Sequence, residues 1–198
     1  MTLANYITIF RILLIPVFVA ALLYYHDAAK SGVICETYRW TAAWAFFIAA
    51  ISDALDGFLA RFFNQKSRLG MVLDPLADKL LILSAVLVLS FIRVPGLLYF
   101  PLWFVVVVVG SDFLLVLGIA LLYMMNCSVK MTPHWTGKVG TFLQMALVVA
   151  ILLKINWLPF NELVWVAGGL AVVSLAIYLA RSVIVFRASG SAQAGTEK

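Results

Sequence analysis

Charge is scarce in this chain. Lys and Arg supply 14 of its 198 residues and Asp and Glu nine, 12% together, against 65% hydrophobic residues. A soluble protein needs polar side chains to cover its surface. This balance, with a mean hydropathy of +1.07, excludes a soluble globular domain and predicts an all-α integral membrane protein built as one domain. Cysteine is equally scarce: Cys35 and Cys127 lie in different segments, which excludes a disulfide framework and the spacing of a zinc site and leaves two free thiols. No small-residue cleavage pattern follows the first apolar run, Tyr6 to Tyr25, so it reads as a retained helix rather than a leader. Internal repeats and inverted pairs of broken segments are also missing, which weighs against a transporter.

What is present is a series of apolar runs of spanning length. Six transmembrane helices are predicted, at 7–26, 40–62, 71–92, 97–125, 138–157 and 162–186. Each can cross a hydrocarbon core of ~30 Å at ~1.5 Å per residue. The fourth is longer than needed and is expected to tilt or project. Punctuation falls between them: a polar hairpin from Asp27 to Gly32, the turn Asn64 to Arg68, Pro95-Gly96, the connector Asn126 to Gly137, and Pro159. A membrane domain over 1–187 is expected, followed by a disordered tail over 188–198. With the N-terminus inside, Arg11, Arg61, Lys66, Arg68, Lys79, Lys130, Lys138, Arg181, Arg187 and Lys198 are inner charges, and Lys30, Arg39, Arg93 and Lys154 are outer ones. The excess of inner charge predicts that both termini face the cytoplasm, in a bacterial inner membrane or its equivalent. Membrane lipids are expected partners; nucleic acid is not.

Four of the nine acids fall between Asp53 and Asp78. Acids near lipid are costly and usually functional. On the second helix Asp53, Asp56, Gly57 and Ala60 share one face, with Arg61 at its end; on the third, Gly70, Asp74 and Asp78 recur at i, i+4 and i+8. A short turn makes the two helices antiparallel neighbours, so the acid faces can meet near the cytoplasmic surface. Clustered carboxylates raise one another's pKa, and one or two divalent cations relieve this. Hard oxygen donors without His or Cys favour magnesium, manganese or calcium over zinc, and a pair of such ions suits phosphoryl chemistry. Gly57, Ala60 and Gly70 leave either close helix packing or room for a nucleotide or phosphate. Arg61 is either a phosphate fork or an interface anchor.

The run Asp-x-x-Asp-Gly-x-x-Ala-Arg-x8-Gly-x3-Asp-x3-Asp, carried here by Asp53, Asp56, Gly57, Ala60, Arg61, Gly70, Asp74 and Asp78, resembles the signature of the CDP-alcohol phosphatidyltransferases. The resemblance implies six membrane helices with a site at the cytoplasmic end of helices two and three. It implies Asp53, Asp56, Asp74 and Asp78 as ligands of two ions, Mg2+ or Mn2+, with Asp78 also the catalytic base. Gly57, Ala60, Arg61 and Gly70 would line the site for CDP. The implied donor is CDP-diacylglycerol and the implied partner a phosphorylated alcohol; family members are often homodimers.

The opening Asn5 to Pro16, the run Asp74 to Lys79 and the run Gly137 to Gln144 are similar to the phosphatidylglycerophosphate synthases and the cardiolipin synthases of this family. Glycerol 3-phosphate is the favoured acceptor and phosphatidylglycerol the alternative. Arg11 and Lys138 are the favoured acceptor-binding residues among the inner basic groups, which also include Lys79 and Arg181. Where these relatives carry Arg followed by an acid, this chain reads Gly110-Ser111-Asp112. Asp112 is either a polar contact inside the bundle or part of the acceptor site. His134 reads as a surface residue, and Trp103, Trp135, Trp157 and Trp165 as interface anchors. A membrane cation transporter and a non-catalytic scaffold are the readings from other classes.

Overall fold

The computed structural model describes the backbone of residues 3–32, 34–62, 70–124 and 135–194. Side chains are described within these ranges except at 3–7, 53–62, 70–76, 78, 115–124, 135–136 and 181–194. Among the described residues six helices follow one another: α1 (Leu3–Lys30), α2 (Glu36–Phe62), α3 (Gly70–Phe91), α4 (Leu102–Met124), α5 (Trp135–Leu152) and α6 (Phe160–Ala194). α1 packs on α2 and α3, and α6 on α4 and α5; α3 also touches α2, α4 and α5. The expected turn at Asn64 to Arg68, His134, Cys127 and most of the connector from Asn126 lie outside the described residues.

The helix ends depart from expectation for local reasons. α1 runs through the hairpin expected from Asp27, because Ala28 and Ala29 favour helix, and closes at Gly32. There φ is +79°, and the Ser31 and Gly32 N–H groups bond the carbonyls of Asp27 and Ala29. α4 starts five residues later than expected. Val94-Pro95-Gly96-Leu97 makes a type II turn, with Gly96 at φ +77° and the Leu97 N–H on the Val94 carbonyl at 3.1 Å. Pro101 then caps the helix, its carbonyl taking the Phe104 N–H at 3.0 Å. The remaining 23 residues are close to the ~20 a bilayer requires, so the excess length expected of this helix is gone. α5 stops at Leu152 rather than 157. Lys154 adopts a left-handed φ of 55°, and the Lys154 and Ile155 N–H groups turn back to Ile151 and Ala150. This is a Schellman closure with lysine where glycine is usual. α6 carries on to Ala194, through a stretch expected to be unstructured; it contains no proline to stop the helix.

The Thr8–Lys30 and Phe160–Ala180 segments are long and apolar enough to cross a membrane, and shorter apolar stretches occupy α3, α4 and α5. Phe142, Val106 and Trp157 are largely exposed, as lipid-facing side chains of a bundle would be. Between helices there is no hydrophobic drive in lipid, so close packing must hold them. α2 buries Ala42, Ala45, Ala49 and Ser52, small residues that let neighbouring backbones approach. Trp103 stacks on Trp165 with centroids 4.2 Å apart, and a Cβ added at Gly168 would sit 2.8 Å from the Trp103 ring. Gly168→Ala is therefore expected to part α4 from α6 and lower stability by about 1–3 kcal/mol. Thermal unfolding in detergent measures this; an unchanged melting temperature would show that the ring moves aside freely.

At the end of the bundle carrying the α1–α2 and α5–α6 connections, one ionic cluster ties the two hairpins together. Glu36 accepts from Lys154 Nζ at 2.6 Å and from Arg39 Nε at 2.5 Å. Arg39 also donates to the Leu152 carbonyl, one of the orphan acceptors at the end of α5. Hydrogen bonding from Lys154, then Arg39, holds the Glu36 carboxyl below its ordinary 4.5. Glu36 raises the Lys154 ammonium above its ordinary 10.5. The Glu36 contribution is present above pH 4.5 and lost as pH falls through the lower folded value; that of Lys154 is full below 10.5 and lost above the raised folded value. Both groups are partly exposed, which limits the pair to about 0.2–1 kcal/mol. Glu36→Gln should therefore lower the melting temperature slightly and evenly across neutral pH, with the difference closing below about pH 4; a difference that widens in acid would contradict the pairing.

Candidate active site

The acid motif lies on two neighbouring helices. Positions 53, 56, 57, 60 and 61 fall in the last three turns of α2, and 70, 74 and 78 in the first three turns of α3. The side chains of Asp53, Asp56, Gly57, Ala60, Arg61, Gly70, Asp74 and Asp78 lie outside the described set, but their flanks do not. Ser52 and Ala77 are buried. The buried face of α2, Ala42-Ala45-Ala49-Ser52, carried on at the helical period, passes positions 53, 56 and 60. On α3, position 78 is four and eight residues before Ile82 and Val86, both fully buried.

Side-chain packing sets the registers that bring other helices to this level. Tyr24 stacks on Tyr38 and Phe18 packs on Phe46. The same antiparallel pairing places Arg11 level with position 53, within about one turn. Arg39 on the end of α5 puts Lys138 level with position 53 in the same way. On α6, Ser174 faces Gly137, 3.1 Å from a Cβ built there. The Trp103 contacts with Trp165 and Gly168 run α4 parallel to α6 and bring Asp112 to the level of Ser174. Lys79 reaches Asp112, with Nζ 2.6 Å from Oδ1. Residues of all six helices thus converge on one layer.

The favoured acceptor residues differ within it. Arg11 is fully buried, and Thr8 one turn before it is too. Buried guanidinium groups are held only where something compensates the lost hydration. Lys138 is exposed, while Gly137 and Gly140 beside it face Ser174 and Leu170 of α6. Asp112 is a polar contact inside the bundle, through Lys79. Its second oxygen, Oδ2, is buried and has no hydrogen-bond partner among the described residues. The hydroxyl of Tyr178 and the Gln144 Oε1 are buried and unpartnered in the same sense. Tyr178 carried no motif signal; one polar hydroxyl at the end of an apolar run reads as an interface residue. The tryptophans expected as anchors are exposed at 157, in the turn before α6, and at 165, in its first turns, while Trp103 is half-covered by packing and Trp135 lies outside the described side chains.

A family model for CDP-alcohol phosphatidyltransferase matches residues 1–184. A CDP-diacylglycerol–glycerol-3-phosphate 3-phosphatidyltransferase of Blochmanniella floridana is 34% identical over 157 residues, 76% of this chain and 73% of that protein. The enzymes of the same name from Bacillus subtilis (strain 168) and Escherichia coli (strain K12) are 34% and 32% identical over 181 and 180 residues, 87% of this chain and 90% of each. The chain belongs to the CDP-alcohol phosphatidyltransferase family. It is an enzyme of that class, and the relatives just described carry the name glycerol-3-phosphate 3-phosphatidyltransferase.

Chemistry of that class calls for a divalent cation, and the donor set here fits one. Four carboxylates on adjacent helix turns are hard oxygen donors. Among the described residues no other group of three or more His, Cys, Asp or Glu could hold a metal ion.

Proposed function

We propose that this protein transfers the phosphatidyl group of CDP-diacylglycerol to glycerol 3-phosphate and releases CMP. The observation that carries the reading is the complete eight-position motif on α2 and α3, set level with Arg11, Lys138 and Asp112 by the helix registers. The names of the relatives support glycerol 3-phosphate over phosphatidylglycerol. A transporter gains nothing from the fold.

In the proposed reaction the acceptor hydroxyl attacks the β-phosphorus. The new O–P bond forms as the bond to CMP breaks, its electron pair passing to the CMP phosphate. Asp78 takes the hydroxyl proton. Asp53, Asp56, Asp74 and Asp78 are the residues that would hold two ions, magnesium or manganese, which supply neutralisation of the pyrophosphate oxygens. Gly57, Ala60 and Gly70 leave space for the CDP moiety, and Arg61 gives it a fixed positive fork. Arg11 and Lys138 offer charge to the acceptor's phosphate. Most of the rate then comes from positioning and electrostatic complementarity.

The site opens to the cytoplasm in this proposal, with six spans, both termini inside and positively charged inner loops. A homodimer is the assembly expected of it. Purified protein given CDP-diacylglycerol, Mg2+ and glycerol 3-phosphate should release CMP, and EDTA should stop the release. Release with phosphatidylglycerol alone would move the reading to a cardiolipin synthase; release with neither acceptor, nor with serine or inositol phosphate, would end it.

A further inference from the structure

Three buried polar atoms lack partners among the described residues in the half of the bundle that carries the motif or next to it: Asp112 Oδ2, the Tyr178 hydroxyl and Gln144 Oε1. Gln144 lies about two turns deeper on α5 than Gly137. The other two lie close in level. The register of α4 on α6 sets Asp112 beside residues 174–177, one position from Tyr178, and α4 packs directly on α6.

Buried polar groups in a folded protein are almost always satisfied, and a buried acceptor and a buried donor left open on facing helices ask for one group that answers both. A phosphate does not: the Asp112 carboxylate repels it, and the charge of Lys79 is already committed to Oδ1 at 2.6 Å. A cation does not suit a phenol hydroxyl beside a lysine. An alcohol hydroxyl does, since it donates once and accepts twice. Resting on the phosphatidyltransferase reading above, we infer that Asp112 and Tyr178 bind the hydroxyl of the acceptor that does not attack phosphorus, with Asp112 Oδ2 accepting its proton in a hydrogen bond and Tyr178 donating to its oxygen. The pair makes the enzyme selective for a diol phosphate over a mono-alcohol phosphate. Lys79 is a positioning residue: it occupies Oδ1 and leaves Oδ2 to the substrate. This also accounts for Asp112 standing in an apolar helix.

The test compares glycerol 3-phosphate with 3-hydroxypropyl phosphate, which keeps the phosphate and a primary hydroxyl and lacks the middle one. Sites built to bond a hydroxyl reject the analogue without it, so the wild-type protein should prefer glycerol 3-phosphate by about tenfold or more in kcat/KM. Tyr178→Phe removes one oxygen and keeps the ring. It and Asp112→Asn should lower kcat/KM for glycerol 3-phosphate through the acceptor KM, leave the analogue and the KM for CDP-diacylglycerol nearly unmoved, and bring the two acceptors together. Equal use of both acceptors by the wild type, or an equal loss on both in Tyr178→Phe, overturns the inference while leaving the phosphatidyltransferase reading intact. No CMP release by the wild type with either acceptor overturns that reading, and the inference with it.

Discussion

Asp78→Asn should reduce CMP release by about 10²–10⁴-fold, the range a positioned general base contributes, with the protein still folded. Asparagine matches aspartate in size and keeps a carbonyl oxygen, so helix packing next to Ala77, Ile82 and Val86, all buried, is undisturbed. What it loses is the negative charge. The amide cannot take the acceptor's proton, and it is a weaker ligand for a hard cation. Asp74→Asn, one turn earlier on α3, should act almost as strongly through the cation alone. Initial rates of CMP release, set beside gel filtration and thermal unfolding in the same detergent, separate chemistry from misfolding. Activity within tenfold of wild type in Asp78→Asn would remove it as the base, and a non-catalytic scaffold would show no loss in either variant.

Lys79→Met is expected to be the most destabilising single change in this layer. It keeps the length of the side chain and deletes the ammonium that meets Asp112 Oδ1 at 2.6 Å. The carboxylate is then left with neither oxygen paired among the described residues. Removing one partner of a fully buried pair costs about 3–5 kcal/mol. Here the side chains remain 28% and 16% exposed, which brings the expectation to about 2–3 kcal/mol. The size of the effect comes from the stranded charge rather than from the lost attraction. Lys79→Met with Asp112→Asn should accordingly be more stable than Lys79→Met alone, because a neutral amide is cheaper to bury than a lone carboxylate. Melting temperatures of the four proteins in one detergent form the cycle. Additive losses would mean that the two residues do not act on one another.

These two expectations rest on different kinds of knowledge. The acid motif was legible in the sequence because its spacing is local. Residues three and four apart on one helix share a face whatever surrounds them, so Asp53 with Asp56, and Asp74 with Asp78, could be placed from the sequence alone. The Lys79–Asp112 pair could not. Its members are 33 residues apart, and no local rule says which turn of α4 lies against which turn of α3. Arg11 and Lys138 look alike as inner basic residues, yet one is fully buried and the other exposed. The difference comes from α1 lying against α2 and α3 while α5 turns its glycines to α6. Helix ends depart from the apolar period where the deciding event is a turn: the Pro95-Gly96 turn, the Pro101 cap and the left-handed Lys154.

The sequence alone is enough to give a helical membrane protein, six apolar segments, and the four-aspartate motif of the CDP-alcohol phosphatidyltransferase family. Those features are set by composition and by periods of a few residues, and need no knowledge of neighbours. Packing alone sets which helices meet and at what height: Arg11 buried level with position 53, Lys79 bound to Asp112, and Asp112 Oδ2 and the Tyr178 hydroxyl at neighbouring levels without partners among the described residues. Such contacts depend on the registers of whole helices, which are set by distant packing such as Trp103 against Gly168 and Phe18 against Phe46.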